Sequence, residues 1–497
     1  MSESEHRPAA PFLREKFLRN AAWSTALRWT VKTIGFGSTA VLARLLTPAD
    51  FGLVAMAMIV VSFVDVWSDI GVEYALIHNR KPTVAAYNTA WTLRLAQGLV
   101  VSSLVVAIAP LAAIYFREPR VTLLLWVLAV APILSASRNI GVVDFRKELR
   151  LEKEFKLLVT SKVVSVAGTL ACAWYLRDSW ALVFGILFGT LIEVVGSYVI
   201  HPFRPRLSLA EARSFRGYWF ATLANGLGHF TEAKLDEVLV GRFGSTSTMG
   251  VYSLASEFGQ LPVSELAAPL NKTLVPTMSM LQTEIDRMRT AFLNYMSALA
   301  FLLVPACVGM ALVSGPFLRV VLGEQWVGGT LVMQILALFA ILRSGILAIA
   351  NALVGLGRPM VSAQLAWINV CLLLVGGLVL APHFGVTGIA SARLAGGVFV
   401  ALFAGYTVAK LLQCRLRNVL QCYVRPALCA GVMAAVVMAV SGVSEHALVV
   451  LIVQVIAGAA VYTAASFVVW HWIGRPDGGE RLLVEQLARI RAWRPAQ

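Results

Sequence analysis

Charge is scarce in this chain. Asp, Glu, Lys and Arg make up 14% of its 497 residues, against roughly 25% in an average soluble protein, and mean hydropathy is +0.75. No stretch of about 50 residues is polar enough to form a soluble domain, so water is not the main solvent. Cysteine is sparse as well. Cys172, Cys307, Cys371, Cys414, Cys422 and Cys429 lie in or beside apolar runs, with no Cys-x-x-Cys and no histidine at metal spacing. That excludes a disulfide framework or a zinc site and leaves them as small buried hydrophobes. The first apolar run contains Arg28 and Lys32 and has no short unbroken apolar core, so it reads as a retained first span, not a cleaved signal peptide. A catalytic triad, a metal motif and a nucleotide loop are missing too. The external turns are too short for the substantial loop that a membrane polymerase or ligase needs. No enzyme, cofactor or metal is expected.

Long apolar runs are what the chain does contain. A helix needs about 20 apolar residues to cross the hydrocarbon, and about fourteen windows qualify. They fall near residues 20–44, 52–77, 87–113, 120–141, 157–177, 180–201, 217–240, 251–276, 291–314, 330–355, 360–381, 386–410, 425–442 and 446–472. Whole windows are apolar, without the period-two alternation of a lipid-facing strand, so the fold class is all-α and polytopic, not a barrel.

The net charge of +15 would suggest a nucleic-acid partner in a soluble chain. Here it follows topology. With a cytoplasmic N-terminus, the inward turns hold Arg80 and Lys81, Arg138 to Lys156, Arg204 to Arg216, Arg287 and Arg289, and Lys410 to Arg425. These segments carry about 28 basic and 13 acidic residues, while external turns and spans are nearly balanced, as the positive-inside rule requires. Both termini are expected in the cytoplasm, with anionic lipid as the partner of the basic excess and no nucleic acid. Residues 478–493 and Asp144–Lys156 read either as interfacial amphipathic helices or as solvated helical linkers.

A weak internal repeat relates VLARLLTPADFGLVAMA from Val41 to VLVGRFGSTSTMGVYSLA from Val238, and SWALVFG at Ser179 to FGVTGIA at Phe384. It predicts two six-helix lobes in parallel orientation, a transporter architecture with its site at the midplane between them. The expected division is a cytoplasmic segment 1–19, a first lobe 20–201, a linker 202–216, a second lobe 217–410, two further helices within 425–472, and a cytoplasmic tail 473–497.

Ionisable residues inside spans are costly and normally face a cavity or a partner. Arg28 and Lys32 share one face of the first span, and Asp65, Asp69 and Glu73 repeat at the same interval down the second. Arg94, Arg343 and Arg393 add further cations. Together Arg28, Lys32, Arg94, Arg343 and Arg393 suit an anionic group such as a phosphate, because guanidinium forks donate bidentately to its oxygens. Asp65, Asp69, Glu232, Asp236, Glu257 and Glu265 read either as carriers of protons or Na⁺ or as counter-ions, for instance Asp65 or Asp69 to Arg28 or Lys32, and Glu232 to Lys234. Glu73, Lys162 and Lys272 lie near span ends, where snorkelling explains them. Pro262, Pro269 and Pro276 predict a kink in the eighth span, static or moving. Trp23, Trp29, Trp91, Trp219 and Trp367 suit either packing or stacking on sugar rings, whereas Trp126, Trp180, Trp326, Trp470 and Trp472 fit an interfacial belt.

The segment Leu42–Arg80 carries the pattern Arg44-x-Leu46-x-Pro48-x-Asp50-Phe51-Gly52, then Asp69-x-Gly71, then Ala75-Leu76-Ile77. It resembles the polysaccharide transporter family of the multidrug, oligosaccharidyl-lipid and polysaccharide exporter superfamily. Gly250-x-Tyr252-Ser253-x-Ala255, Pro262, Phe145-Arg146 and Trp180-Ala181-Leu182-Val183 extend the resemblance over most of the first twelve helices. It implies a bacterial inner-membrane flippase that moves an undecaprenyl-diphosphate-linked oligosaccharide for exopolysaccharide, capsule or O-antigen synthesis. It also implies alternating access driven by an ion gradient or membrane potential, and a polysaccharide polymerase and chain-length machinery as partners. A drug antiporter of the same superfamily should prefer an acidic, aromatic cavity. Pro48 to Gly52 reads as an external turn with a structural role.

Overall fold

A computed structural model describes residues 11–68, 72–78, 82–148, 150–212, 216–281, 284–474 and 479. Asp69, Gly71, Arg80, Lys81 and the tail 478–493 apart from residue 479 lie outside the described residues, as do the side chains of Trp219, His229 and Lys272. Among the described residues all regular structure is helical, and the chain divides into two compact units, Met1–Phe230 and Thr231–Gln497.

Unit 1 contains α1 (Pro11–Leu45), α2 (Pro48–Ser68), α3 (Val72–His78), α4 (Val84–Phe116), α5 (Arg120–Leu128), α6 (Val130–Ala136), α7 (Val143–Lys147), α8 (Leu151–Leu176), α9 (Trp180–Ile200) and the first half of α10 (Arg216–Phe243). α8 packs on both α1 and α9, and α4 packs on α2, α5 and α6. Gly189 of α9 allows the α8–α9 approach, since a Cβ there would lie 2.4 Å from Ser165 Oγ. The charged run Asp144–Lys156 is not one amphipathic helix. It is split between α7 and the start of α8 by a turn in which Arg150 N–H donates to Phe145 O at 2.7 Å.

Unit 2 contains the rest of α10, α11 (Thr246–Gly259), α12 (Ala268–Met280), α13 (Ile285–Phe317), α14 (Thr330–Gly355), α15 (Pro359–Leu411), α16 (Leu416–Ala439) and α17 (Ala447–Trp472). A π-helical turn, Val263–Ala267, follows Pro262 between α11 and α12, so the expected kink is present as a broken helix. π turns insert one extra residue per turn and recur at functional sites. α16 and α17 pack on each other and on α13, where Tyr462 Oη donates to Phe301 O at 2.8 Å. Trp326, expected at an interface, is buried in unit 2.

Among the described residues the apolar windows are mainly helical, but the span count differs from the expected fourteen. Among the described residues nine helices are long and apolar enough to cross a membrane, ten when the pair Arg120–Ala136 and Ile140–Lys147, bent by 61°, counts as one span. The difference has physical sources. α1 and α10 carry charged and polar residues along their lengths, and the run 246–280 is broken at the π turn. α15 joins two expected windows in 53 residues, interrupted at Gly385 (φ 58°, ψ −137°), a conformation only glycine adopts without strain.

Candidate functional site

In unit 1, α1, α8 and α9 line a cavity of about 470 Å³. α1 contributes Arg28 and Lys32, which four-residue spacing places on one helix face. α8 contributes Ser161, Lys162 and Ser165, and α9 contributes Thr190 and Glu193. Ser165 and Thr190 hydroxyls donate to the carbonyls of Gly185 and Ile186, while Arg28, Lys32, Lys162 and Ser161 bring further donor groups to the lining. Lys162, assigned to snorkelling from sequence, packs instead against Gly35 of α1. Among the described residues it has no hydrogen-bond or ion-pair partner. Glu193 is held by Arg138 Nη1 at 2.6 Å. The lining thus carries three cationic side chains and one carboxylate, which Arg138 pairs.

Arg94 is not in that cavity. Its Nη1 contacts Glu73 Oε1 at 2.9 Å and its Nη2 donates to Ser135 O at 3.3 Å. Glu73 Oε2 faces Arg146 Nη1 at 3.4 Å, and Arg146 is gripped by Glu154 through Nη2 at 2.7 Å and Nε at 2.8 Å. Glu73, read as a snorkelling residue, is therefore shared between two arginines. Trp91, a candidate sugar platform, packs among Ala86, Ala90 and Ile140 and donates Nε1 to Ser137 O at 3.4 Å. Arg138 had no sequence signal beyond membership of a basic turn, and Arg146 only its place in the Phe145-Arg146 piece of the family pattern.

Beside this cluster the segment His201–Glu211 lies along α4 as a strap. Asn139 Nδ2 donates to His201 O at 3.2 Å and to Phe203 O at 2.8 Å. The backbone N–H groups of Arg206, Ser208 and Glu211 donate to Asn88 Oδ1, Thr92 Oγ1 and Thr89 Oγ1 at 2.9, 2.9 and 3.3 Å. The His201 ring accepts from Phe203 N–H and lies 3.6 Å from Asp144, whose other oxygen takes the Tyr87 hydroxyl. Burial lowers the His201 pKa below its ordinary value of 6.5, and the nearby Asp144 carboxylate offsets only part of this.

In unit 2, Arg393 and Asp236 meet at 2.6 Å with side chains 3% and 2% exposed. Arg393 Nη2 also donates to Glu232 O at 3.1 Å, its guanidinium stacks 4.9 Å from the Phe339 ring, and Tyr252 Oη donates to Asp236 Oδ2 at 2.7 Å. Arg393 and Asp236 thus form a buried ion pair, while Arg393 Nε has no hydrogen-bond partner among the described residues. Lys234 pairs with Glu237 at 2.8 Å, not with Glu232, because three-residue spacing shares a helix face and two-residue spacing does not. Arg343 donates to Gln260. Glu265 lies in the π turn with Ser264 Oγ 3.0 Å away, while Glu257 and, in unit 1, Asp65 are exposed on their helices. Among the described residues no three His, Cys, Asp or Glu side chains could hold a metal ion.

A family model described as "Polysaccharide biosynthesis protein" matches residues 41–330, more than half of the chain. The chain belongs to that family. This polysaccharide biosynthesis family member is similar to the lipopolysaccharide biosynthesis protein WzxC of Escherichia coli (strain K12), 25% identical over 342 residues that cover 67% of this chain and 68% of WzxC. It is also similar to the teichuronic acid biosynthesis protein TuaB of Bacillus subtilis (strain 168), 25% identical over 464 residues, 91% of this chain and 95% of TuaB. The lipid II flippase MurJ, solved in an inward closed conformation, has a TM-score of 0.74 at 14% identity, covering 91% of this chain and 99% of MurJ. At that identity the likeness shows the fold alone. The family member is a multi-pass membrane protein with a transporter fold, not an enzyme.

Proposed function

We propose that the protein is a flippase that moves an undecaprenyl-diphosphate-linked oligosaccharide across a bacterial inner membrane by alternating access of two six-helix lobes, with fourteen spans in all. The observation that carries the reading is the cation-rich cavity of unit 1, where Arg28, Lys32 and Lys162 leave an excess of positive charge inside a membrane helix bundle. A diphosphate suits such a lining, because guanidinium and ammonium groups donate well to phosphate oxygens. The names of WzxC and TuaB, both polysaccharide biosynthesis proteins, support a glycan cargo. A carrier of organic cations would be repelled by the same cavity. Asp65, Asp69, Glu232, Glu257 and Glu265 are the carboxylates proposed for ion coupling or as counter-ions, with Asp236 in the ion pair with Arg393.

The test is transport of a lipid-linked oligosaccharide by the purified protein in liposomes. Wild-type protein is expected to move the substrate, and Arg28→Ala combined with Lys32→Ala to reduce the rate at least tenfold, the order expected for lost charge-assisted bonds. Unchanged transport in the double variant would remove the cavity as the diphosphate site.

A further inference from the structure

Glu73 divides its carboxylate between two guanidiniums, Oε1 to Arg94 and Oε2 to Arg146. One phosphate of a diphosphate bridges two arginines in the same way. We propose that Arg94 and Arg146 form a second, outer station for the diphosphate, and that Glu73 is a resident anion there which the substrate displaces. This deepens the flippase reading and rests on it.

The two arginines stay in place when Glu73 leaves. Arg146 is fixed by Glu154 through Nη2 and Nε while its Nη1 faces Glu73, and Arg94 is fixed by the Ser135 carbonyl through Nη2. The Glu73 contacts are the more easily broken. Its bond to Arg146 is 3.4 Å long, and Glu73 and Arg146 have side chains 34% and 45% exposed, so an incoming anion reaches them from water. Arg94, at 17% exposed, is the deeper of the two cations. Replacing the single charge of Glu73 by the two or more of a diphosphate gives both guanidiniums a stronger partner.

The outer station also lies on a route to the cavity. Glu154, which grips Arg146, and Lys162, which lines the cavity, are both on α8. Eight residues separate them, about 12 Å along the helix at 1.5 Å per residue. The outer station thus lies about two turns of α8 from the cavity's Lys162. Two stations of like charge a short step apart let the anion pass without being stranded in a low-dielectric span.

The experiment measures binding of farnesyl diphosphate to the full-length protein in detergent, in an Arg28→Ala, Lys32→Ala, Lys162→Met background so that the outer station dominates the signal. Glu73→Gln is expected to tighten binding at least about threefold, because the competing charge is gone. Glu73→Asp, with its carboxylate drawn back, is expected to fall between Gln and wild type. Adding Arg94→Gln or Arg146→Gln should abolish the gain. Binding no tighter in Glu73→Gln, or a gain that survives loss of both arginines, overturns the outer station. Should Glu73→Gln fail to fold, judged by thermal unfolding, binding of Glu73→Asp equal to wild type overturns it instead. Transport by the wild-type protein separates the two claims. If it moves no lipid-linked oligosaccharide the flippase reading falls, whereas active wild type with an unresponsive Glu73 removes the outer station alone.

Discussion

Asp50 Oδ1 accepts a hydrogen bond from the Ser179 backbone N–H at 3.2 Å, joining two turns 129 residues apart in the chain. Its other oxygen accepts from Thr47 N–H at 2.9 Å and Thr47 Oγ1 at 2.6 Å, while Asp50 N–H faces Thr47 Oγ1 at 3.4 Å. This reciprocal cap opens α2 and ties it to the start of α9. Two pieces of the family pattern, Pro48 to Gly52 and Trp180 to Val183, thus belong to one clamp.

Asp50→Ala is expected to cost about 1–2 kcal/mol, the usual loss for a helix cap together with one long-range bond. Thermal unfolding in detergent reads it. Transport per folded molecule should be unchanged, and a transport defect at normal stability would assign Asp50 to substrate handling instead.

Lys162→Met should lower transport severely, while Lys162→Arg should retain most of it, because the site needs charge more than an ammonium in particular. Initial rates in proteoliposomes at matched protein incorporation decide the matter. Equal rates for Met and wild type would leave Lys162 a packing residue.

Removing one member of the Arg393–Asp236 pair strands a buried charge, and the cost is expected at about 3–5 kcal/mol. Arg393→Met and Asp236→Leu should each collapse the folded yield. The double variant should recover much of it, since replacing both charges by apolar groups removes the stranded ion. Size-exclusion profiles after detergent extraction report the outcome, and a double variant as damaged as the sum of its parts would contradict the pairing.

Acidification should weaken unit 1 through His201. Its pKa in the folded protein lies below the ordinary 6.5, so the unfolded chain binds the extra proton first and stability rises with pH across that interval. Melting temperature should therefore fall as pH drops through about 6.5 and level off below the depressed value. His201→Gln should flatten that step, and an unaltered pH profile in the variant would place the dependence elsewhere.

The helical class was legible because apolar residues fill whole windows, and Pro262 announced the broken helix at 263–267. Partnerships were not. Arg94 with Glu73 and Arg138 with Glu193 depend on how each helix is rotated, which sequence spacing between helices does not encode. Lys162 was misplaced for a simpler reason. α8 begins at Leu151, six residues before the apolar window, because charged Glu152, Lys153, Glu154 and Lys156 extend its first turns. Lys162 thus lies about three turns inside the helix, not at its end.

The strap from His201 to Glu211 is gripped by its main chain: Asn139, Asn88, Thr92 and Thr89 bond to its carbonyls and amides. Grip of that kind is indifferent to the side chains of Leu207 and Leu209, whereas His201, Phe203, Arg204 and Glu211 are also held through their side chains. Substitutions along Leu207, Ser208 and Leu209 should be tolerated as a bound guest peptide tolerates variation, while the four host residues on α4 and at Asn139 should not. A chain nicked within the strap would stay docked at both cut ends, so the two fragments would purify together.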